Sequence, residues 1–261
     1  ENGYKGLPRV SFEKRKLKYE DVYPVLYLKY RLQSQQGRSN IKHLVVDEMQ
    51  DYSRLQYEII QRIFSCRMTI LGDRAQTMDD KQQDVLTFLP KIFGRDIHKI
   101  IMNKSYRNTV EIATYANRLA GIEDMELFER HGAPVEEKVF ADVKAAVKEI
   151  QDMLKLGEEE YETAAVILRT EKEAEQVWLL LKEELEKTDF DVKNRLSWLD
   201  RNSTSFRKGL TVTTFYLAKG LEFDQVFAVF PEKDQTPLAE QARYIAATRA
   251  LHELHMYELE N

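Results

Sequence analysis

The sequence predicts an α/β protein in which parallel β-sheets carry helices on both faces. Short apolar runs of strand length alternate with longer segments whose apolar residues recur every three or four positions. Strands separated by helices of this length pair in parallel, because the chain must cross the sheet between them. Polar and charged residues collect directly behind several apolar runs, so the carboxyl ends of the strands are the expected place for a ligand site.

The predicted elements follow one another in a regular order. The first strand is the apolar run LVV at residues 44–46, and the second, MTIL, ends in a Gly-Asp pair. The segments 122–137 and 189–209 carry the weakest patterns and are the expected linkers or insertions. Helices are predicted at residues 55–64, 84–92, 109–120, 143–156 and 171–185 and in a segment ending near Thr248, and further strands at residues 164–169, 210–215, 225–230 and 253–259.

The composition predicts a folded protein outside the membrane. Hydrophobic residues make up 43% and charged residues 32% of the 261 positions, and no apolar run is long enough to span a bilayer. Cys66 is the single cysteine, which excludes a disulfide framework and favours a reducing, cytoplasmic compartment. The net charge of −5 argues against a protein that covers nucleic acid without sequence preference. It leaves room for a local basic groove, and basic residues cluster at 14–18 and 201–208.

Three carboxylates crowd together directly behind the first strand, at Asp47, Glu48 and Asp51. Adjacent acids at a strand end can divide the work of phosphoryl chemistry, one binding Mg²⁺ while the next orients and polarises the attacking water. The alternative is that Asp51 or Ser53 caps the following helix, where the dipole favours negative charge. These residues alone leave both interpretations open.

Further short motifs follow along the chain. GDRAQ, at residues 72–76, places an amide near a strand end, where it could reach a phosphate. SYRN, at 105–108, precedes a predicted helix, and its arginine could offset phosphate charge while its tyrosine stacks on a base. KGLE, at 219–222, breaks a β-rich run, and the arginine of TRA, at 248–250, lies where helix C-termini attract cations. Each has an ordinary structural explanation when taken alone.

In order and in spacing, these motifs resemble those of the superfamily-one helicases related to UvrD, Rep and PcrA. DEMQD is similar to the family's DExQD motif, LGDRAQ to GDxxQ, and SYRN to YRS. TFYLAKGLEF is similar to T-x-H-x-x-K-G-L-E-F, and AATRA to the final TRA motif. The match runs from about residue 41 to the C-terminus. The flanking sequence looks closest to the HelD branch, in which the motor acts on bacterial RNA polymerase.

The resemblance implies RecA-like parallel sheets: the C-terminal part of a first lobe at 1–100 and a complete second lobe at 101–261. Only about a hundred residues separate SYRN from KGLEF, too few for the large accessory domain of UvrD or Rep, so no large accessory domain is expected. It also implies ATP and Mg²⁺ as cofactors and single-stranded DNA or another nucleic acid as partner. The implied roles are Mg²⁺ binding by Asp47, activation of water by Glu48, γ-phosphate contact by Gln76, arginine fingers at Arg107 and Arg249, adenine stacking by Tyr106, triphosphate and ribose contacts by Gly220 and Glu222, and nucleic-acid contacts by Thr214 and Tyr216.

Besides the missing accessory domain, two features depart from the family pattern. The 261 residues contain no G-x-x-x-x-G-K-[ST] loop, whose backbone amides would cradle the phosphates. The family places that loop upstream of the acidic motif, so the sequence resembles the C-terminal portion of a longer motor and is expected to lack ATPase activity by itself. The second departure is Tyr216, which stands where the family has a histidine near single-stranded DNA.

Two alternatives to a motor remain. A helicase-like module without catalysis could bind RNA polymerase or another partner. A metal-dependent nuclease could use Asp47, Glu48, Asp51 and Asp73, because two-metal chemistry needs converging acids. Such a nuclease would require neither the distant arginines nor the KGLEF turn.

Overall fold

The computed structural model describes eight stretches of the chain, which form two compact units divided between Ile100 and Ile101. Unit 1 is the described part before this division, and unit 2 is the described part after it. The described stretches are residues 17–32, 40–73, 85–94, 96–123, 125–156, 161–203, 207–231 and 236–260.

Unit 1 is built on two parallel strands with helices packed beside them. The wholly buried Tyr57 packs with Val46, Val85, Phe88 and Leu89 in the core. Val46 lies opposite Ile70 at the carboxyl end of the paired strands. The elements in chain order are α1 (Tyr19–Leu32), β1 (His43–Val46), a 3₁₀-helix (Met49–Asp51), α2 (Arg54–Ile63), β2 (Arg67–Ile70) and α3 (Val85–Phe93).

Unit 2 contains a six-stranded parallel sheet among its described residues, besides a short parallel strand pair. The strands are β3 (Lys104–Ser105), β4 (Glu126–Leu127), β5 (Glu136–Phe140), β6 (Thr163–Leu168), β7 (Leu196–Trp198), β8 (Gly209–Thr214), β9 (Phe223–Pro231) and β10 (Ala250–Leu259). The helices are α4 (Val110–Ala120), α5 (Val143–Met153), α6 (Glu171–Leu185), α7 (Val192–Arg195), α8 (Phe215–Ala218) and α9 (Pro237–Ala247). The strand order in the large sheet is β5-β10-β9-β6-β8-β7.

The central strands of the large sheet are covered on both faces. Helices α5 and α6 pack over one face, and their apolar residues join alternate residues of β6, β8 and β9 in a single core. Helices α4 and α9 pack against each other and against β10 and β9. Every residue of β8 is buried, as expected for a parallel strand enclosed by helices. The prediction of an α/β fold with parallel, helix-flanked strands is therefore confirmed.

Both segments predicted as linkers or insertions contain some regular structure. Segment 122–137 includes β4 and the start of β5, and segment 189–209 includes α7 and β7. Both β5 and β7 lie at the edges of the sheet and are at most half-buried, so neither requires an apolar run. Helix α1 was not predicted either, and none of its residues is buried. No helix in the described stretches is long and apolar enough to cross a membrane.

A buried polar network lies where β9 and β10 approach the end of α5. Glu253, whose side chain is 4% exposed, accepts hydrogen bonds from Lys155 at 2.8 Å and is 2.9 Å from the imidazole Nε2 of His255. The amide of Gln225 donates to Glu253 and to the carbonyl of Met153. Burial alone would raise the pKa of Glu253, but the hydrogen bonds from His255 and Lys155 outweigh it and lower the pKa to about 2.

We expect this carboxylate to make the stability of unit 2 dependent on acid pH. Because the folded pKa of Glu253 is depressed, its contribution is complete above an unfolded pKa of about 4.5 and is lost as the pH falls toward 2. A shift of this size corresponds to at most about 3.4 kcal/mol. Urea unfolding followed by tryptophan fluorescence measures it, since Trp178 and Trp198 are the chain's two tryptophans and both lie in unit 2.

The matched variants are Glu253→Gln and Glu240→Gln, the second on an exposed position in the first turn of α9. Glu253→Gln should make the decline in unfolding free energy between pH 4.5 and 2 less steep, whereas Glu240→Gln should retain the full decline. An equal decline in both variants would remove Glu253 as the cause.

Candidate nucleotide and nucleic-acid sites

The acidic loop of unit 1 leaves β1 through a strained residue. Asp47 is exposed, and its Oδ1 accepts the backbone N–H of Glu48 at 2.8 Å. Glu48 has φ 52° and ψ 50°, and it is the one non-glycine residue with positive φ in the described stretches. A left-handed conformation costs a residue with a Cβ about 1–2 kcal/mol. Strain of this kind concentrates at functional sites, where the surrounding structure holds it in place.

The helix that follows does not use these acids as its cap. Ser53 is the N-cap of α2: its hydroxyl accepts from the N–H of Gln56, and the Gln56 side chain accepts from the N–H of Ser53. This reciprocal pair is a capping box. The capping alternative therefore explains Ser53 but does not explain why Asp47 and Glu48 are acidic.

Gln50 joins the acidic loop to the Gly-Asp loop, a contact that sequence reasoning missed. Its amide Nε2 donates to Glu48 Oε2 at 2.6 Å, and its Oε1 accepts the backbone N–H of Asp73 at 3.1 Å. A Cβ added at Gly72 would lie 2.7 Å from the backbone nitrogen of Met49, which cannot move aside, so glycine is required for this close approach. The glutamine of DEMQD was the available signal. Gln76, in the same Gly-Asp motif, lies outside the described residues.

In unit 2, three of the predicted nucleotide-site residues meet at one turn. Arg107 Nε lies 2.8 Å from Glu222 Oε1, and both side chains are roughly half exposed. Arg249 Nη1 donates to the carbonyl of Leu221 at 3.3 Å, and Phe223 N–H donates to the carbonyl of Arg249 at 2.9 Å. Residues far apart in sequence are thus brought within contact distance.

Glu222 and Arg249 lie at the amino ends of their strands, contrary to the expectation that ligand residues follow strands. Glu222 immediately precedes β9, and Arg249 immediately precedes β10. The rule of carboxyl-end sites holds for Asp47 and Glu48, which follow β1. It fails here because β8 and β9 run parallel. The chain leaves the carboxyl end of β8, passes through α8, and reaches the KGLEF turn at the amino end of β9.

The guanidinium group of Arg249 is engaged with its own unit. Arg249 is 2% exposed, and its Nε donates to the carbonyl of Ile245 at 3.3 Å while Nη2 donates to Thr248 Oγ1 at 3.1 Å. Ile245 belongs to the last turn of α9, so Arg249 also binds a helix C-terminus, as the ordinary structural interpretation of TRA requires.

Two further polar side chains fix the backbone around both arginines, and sequence reasoning identified neither. Asn108 donates to the carbonyl of Ala250 at 2.5 Å and contacts that of Thr248 at 3.5 Å, on either side of Arg249. Arg130 Nη2 donates to the carbonyl of Arg107 and, at 3.2 Å, to that of Leu251. Arg130, in the loop between β4 and β5, therefore links the start of β10 to the backbone that carries Arg107.

Two predicted nucleotide contacts stand at the surface of unit 2. Tyr106 is 63% exposed, and its ring centre lies 5.8 Å from that of Phe128, with the ammonium group of Lys104 5.6 Å away. Gly220 has φ +84°, and a Cβ there would meet nothing within 4 Å. The turn at Gly220 therefore depends on backbone conformation and not on close packing.

The residues predicted to contact nucleic acid lie at the carboxyl end of strand β8. Thr214 ends β8 and is 1% exposed, and its hydroxyl has no hydrogen-bond partner within the described part of the chain. Tyr216 is partly exposed, and its hydroxyl donates to Glu171 Oε1 at 2.9 Å. Of the two, Tyr216 is the side chain that reaches the surface.

Two segments of the chain match sequence models of helicase domains. Residues 10–78 match the UvrD/REP helicase N-terminal domain, and residues 209–257 match the UvrD-like helicase C-terminal domain. Each segment is therefore similar to a UvrD-like helicase domain. The first matched segment holds Asp47 and Glu48, and the second holds the KGLEF turn and Arg249. No curated protein matches the sequence.

Three similar solved structures are described as helicases or as part of a possible helicase. The C-terminal domain of a possible DNA helicase from Lactobacillus plantarum WCFS1 is 24% identical, with a TM-score of 0.45, and the match covers 59% of this chain and 88% of that one. Arterivirus nonstructural protein 10 is 15% identical (TM-score 0.45), covering 86% of this chain and 40% of that one. The PRRSV helicase is 16% identical (TM-score 0.47), covering 85% and 36%. This chain spans less than half the length of the latter two.

Proposed function

We propose that this chain is the C-terminal portion of an ATP-dependent, UvrD-like motor that moves along nucleic acid or remodels a nucleic-acid complex. The observation that supports it most is the meeting of Arg107, Glu222 and Arg249 at the KGLEF turn, since these residues come from three separate motifs of the family.

The acidic loop fits a magnesium-dependent phosphoryl transfer. Mg²⁺ is usually held by one or two carboxylates together with phosphate oxygens, and not by a cage of protein ligands. Asp47 suits this, because it is exposed and only its Oδ1 is hydrogen-bonded within the described residues. No cluster of three or more His, Cys, Asp or Glu residues that could hold a metal occurs in that part of the chain, which does not favour a nuclease. Bound Mg²⁺ would offset the charge of the phosphates.

Each remaining residue takes a role that its setting permits. Glu48, positioned by Gln50, would accept the proton of the attacking water. Arg107 would leave Glu222 for a phosphate, and Glu222 would then accept a hydrogen bond from the ribose. Arg249 would have to leave its backbone carbonyls to act as a second finger. The other proposed contacts are Gln76 with the γ-phosphate, Tyr106 with adenine, Gly220 with the triphosphate, and Thr214 and Tyr216 with nucleic acid.

The isolated chain is expected to bind single-stranded oligonucleotides and to show no significant ATPase activity. Binding requires only the carboxyl edge of unit 2, whereas hydrolysis requires phosphate ligands that these 261 residues do not contain. Fluorescence anisotropy with labelled DNA and RNA strands measures the first, and phosphate release in the presence of Mg²⁺ and ATP measures the second. Failure to bind either strand at low salt would contradict the nucleic-acid part of the proposal.

A second candidate is a non-catalytic module that binds RNA polymerase, as the resemblance to the HelD branch suggests. The pairing of Arg107 with Glu222 and the burial of Arg249 favour it, because both arginines have partners without a nucleotide. Pull-down with purified bacterial RNA polymerase, compared with capture on single-stranded DNA, separates the candidates. Retention by polymerase alone would favour the module.

A further inference from the structure

Three side chains meet beyond the carboxyl ends of three neighbouring strands in unit 2. Strands β6, β8 and β7 lie side by side, and Leu168 is paired with Thr214 at the end of the first two. Glu171, Tyr216 and Arg201 follow these strands by two or three residues. The topology therefore delivers an acid, an aromatic ring and a guanidinium group to one place.

The three side chains form a closed set of contacts. Glu171 Oε1 accepts a hydrogen bond from the Tyr216 hydroxyl at 2.9 Å and is paired with Arg201 Nε at 2.6 Å. The guanidinium carbon of Arg201 lies 5.7 Å from the centre of the Tyr216 ring. The side chain of Arg201 is 71% exposed and that of Glu171 is 44% exposed, so both remain accessible to a ligand from solvent.

We propose that Arg201 and Tyr216 form a contact for single-stranded nucleic acid, in which Arg201 binds a phosphate and Tyr216 stacks on a base. Glu171 competes with the nucleic acid for the side chains of Arg201 and Tyr216. The inference rests on the nucleic-acid binding proposed above and adds Arg201 and Glu171, which lie outside the helicase motifs, to that site.

The chemistry of the cluster supports this exchange. A guanidinium group binds a phosphate with the same pair of N–H donors that it offers a carboxylate. A phosphate of the nucleic acid can therefore replace Glu171 as the partner of Arg201. Arg201 now occupies the face of Tyr216 by a cation–π contact, and moving to a phosphate frees that face for a base. Glu171 can lose its partner at little cost, because it lies in the first turn of α6, where the helix dipole favours an acid.

The chain provides a charge-matched control for each substitution. Lys208 belongs to the same basic segment as Arg201, is 72% exposed and is paired with Glu162 at 2.7 Å, but it precedes β8 and so lies at the opposite edge of the sheet. Glu183 lies on the same helix as Glu171 and is 69% exposed, beside Lys187. Arg201→Gln and Lys208→Gln remove the same charge, as do Glu171→Gln and Glu183→Gln.

The experiment measures binding of labelled oligothymidylate and oligouridylate by anisotropy at several salt concentrations, with thermal unfolding of each variant as a folding check. Arg201→Gln should weaken binding several-fold and reduce the slope of log affinity against log salt by about 0.7, the value for one phosphate on a single strand. Lys208→Gln should leave that slope unchanged. Glu171→Gln should tighten binding several-fold, and more than Glu183→Gln does.

Substitution of Tyr216 tests the stacking contact separately. Tyr216→Phe keeps the ring and loses only the hydroxyl contact to Glu171, so binding should stay within about twofold, whereas Tyr216→Ala should weaken it about tenfold, as expected for one stacked base. The same salt slope for Arg201→Gln and Lys208→Gln would overturn the phosphate contact. Unchanged or weaker binding by Glu171→Gln would overturn the competition. Absence of binding by the unsubstituted chain would overturn the proposed nucleic-acid function as well.

Discussion

Replacement of Gly209 by alanine is expected to lower the free energy of unfolding of unit 2 by about 3–5 kcal/mol, from the sum of backbone strain and steric overlap. Gly209 has φ +117°, and a Cβ there would lie 2.3 Å from the carbonyl oxygen of Arg195. The neighbour is backbone that leads into β7, so it cannot move aside as a flexible side chain would. Gly209 also begins the fully buried strand β8. A loss of this size is a large fraction of the 5–15 kcal/mol that typically holds a domain folded.

Gly220→Ala separates the two causes of that loss. Gly220 also has positive φ, +84°, but a Cβ there has open space around it. Its substitution should therefore cost only about 1–2 kcal/mol of backbone strain. Urea unfolding followed by tryptophan fluorescence, with both tryptophans in unit 2, measures both variants. Equal losses of unfolding free energy in the two variants would mean that steric overlap with Arg195 does not contribute to the cost of Gly209→Ala.

Helices and central strands were predictable from the sequence because burial imposes a period on their residues. Helix α6 spans residues 171–185 as predicted, with Ala174, Val177, Leu181 and Leu185 buried along one face. Strand β5 escaped prediction because it reads EEKVF, and strand β7 because it has only three residues. Each of these edge strands pairs with a single neighbour, so its hydrogen bonds to that neighbour, and not an apolar run, define it.

The candidate site was predictable only where a motif identified its residues. Motif order indicated that Arg107, Glu222 and Arg249 act together, and the structure brings them to one turn, although their roles remain predictions. Asn108 and Arg130 could not be found in this way. Asn108 donates to backbone carbonyls more than a hundred residues away along the chain, and one of the two carbonyls that Arg130 contacts is equally distant. A carbonyl leaves no trace in residue identity, so such contacts appear only once the fold is known.

Replacement of Glu48 by glutamine is expected to reduce ATP hydrolysis about 10²–10⁴-fold in a protein that joins this chain to a phosphate-binding loop, as loss of a general base does. Glutamine has the shape of glutamate and can still accept the hydrogen bond that Gln50 donates at 2.6 Å, but it cannot take a proton from water. Asp47 is unchanged, so nucleotide affinity should stay within a few-fold. The loss should therefore appear in kcat, with little change in KM or in the Kd of an ATP analogue.

Glu58→Gln is the matched control, since Glu58 lies on α2 of the same unit and pairs with Arg54 at 3.1 Å. It should leave turnover unchanged. Equal turnover by the Glu48→Gln variant and the unsubstituted protein would show that the acidic loop has no catalytic role, whatever the resemblance of DEMQD. Turnover by the isolated chain that disappears with Glu48→Gln would have another meaning. It would keep Glu48 as the base and require that residues within this sequence replace the missing phosphate-binding loop, because a base without a positioned phosphate accelerates nothing.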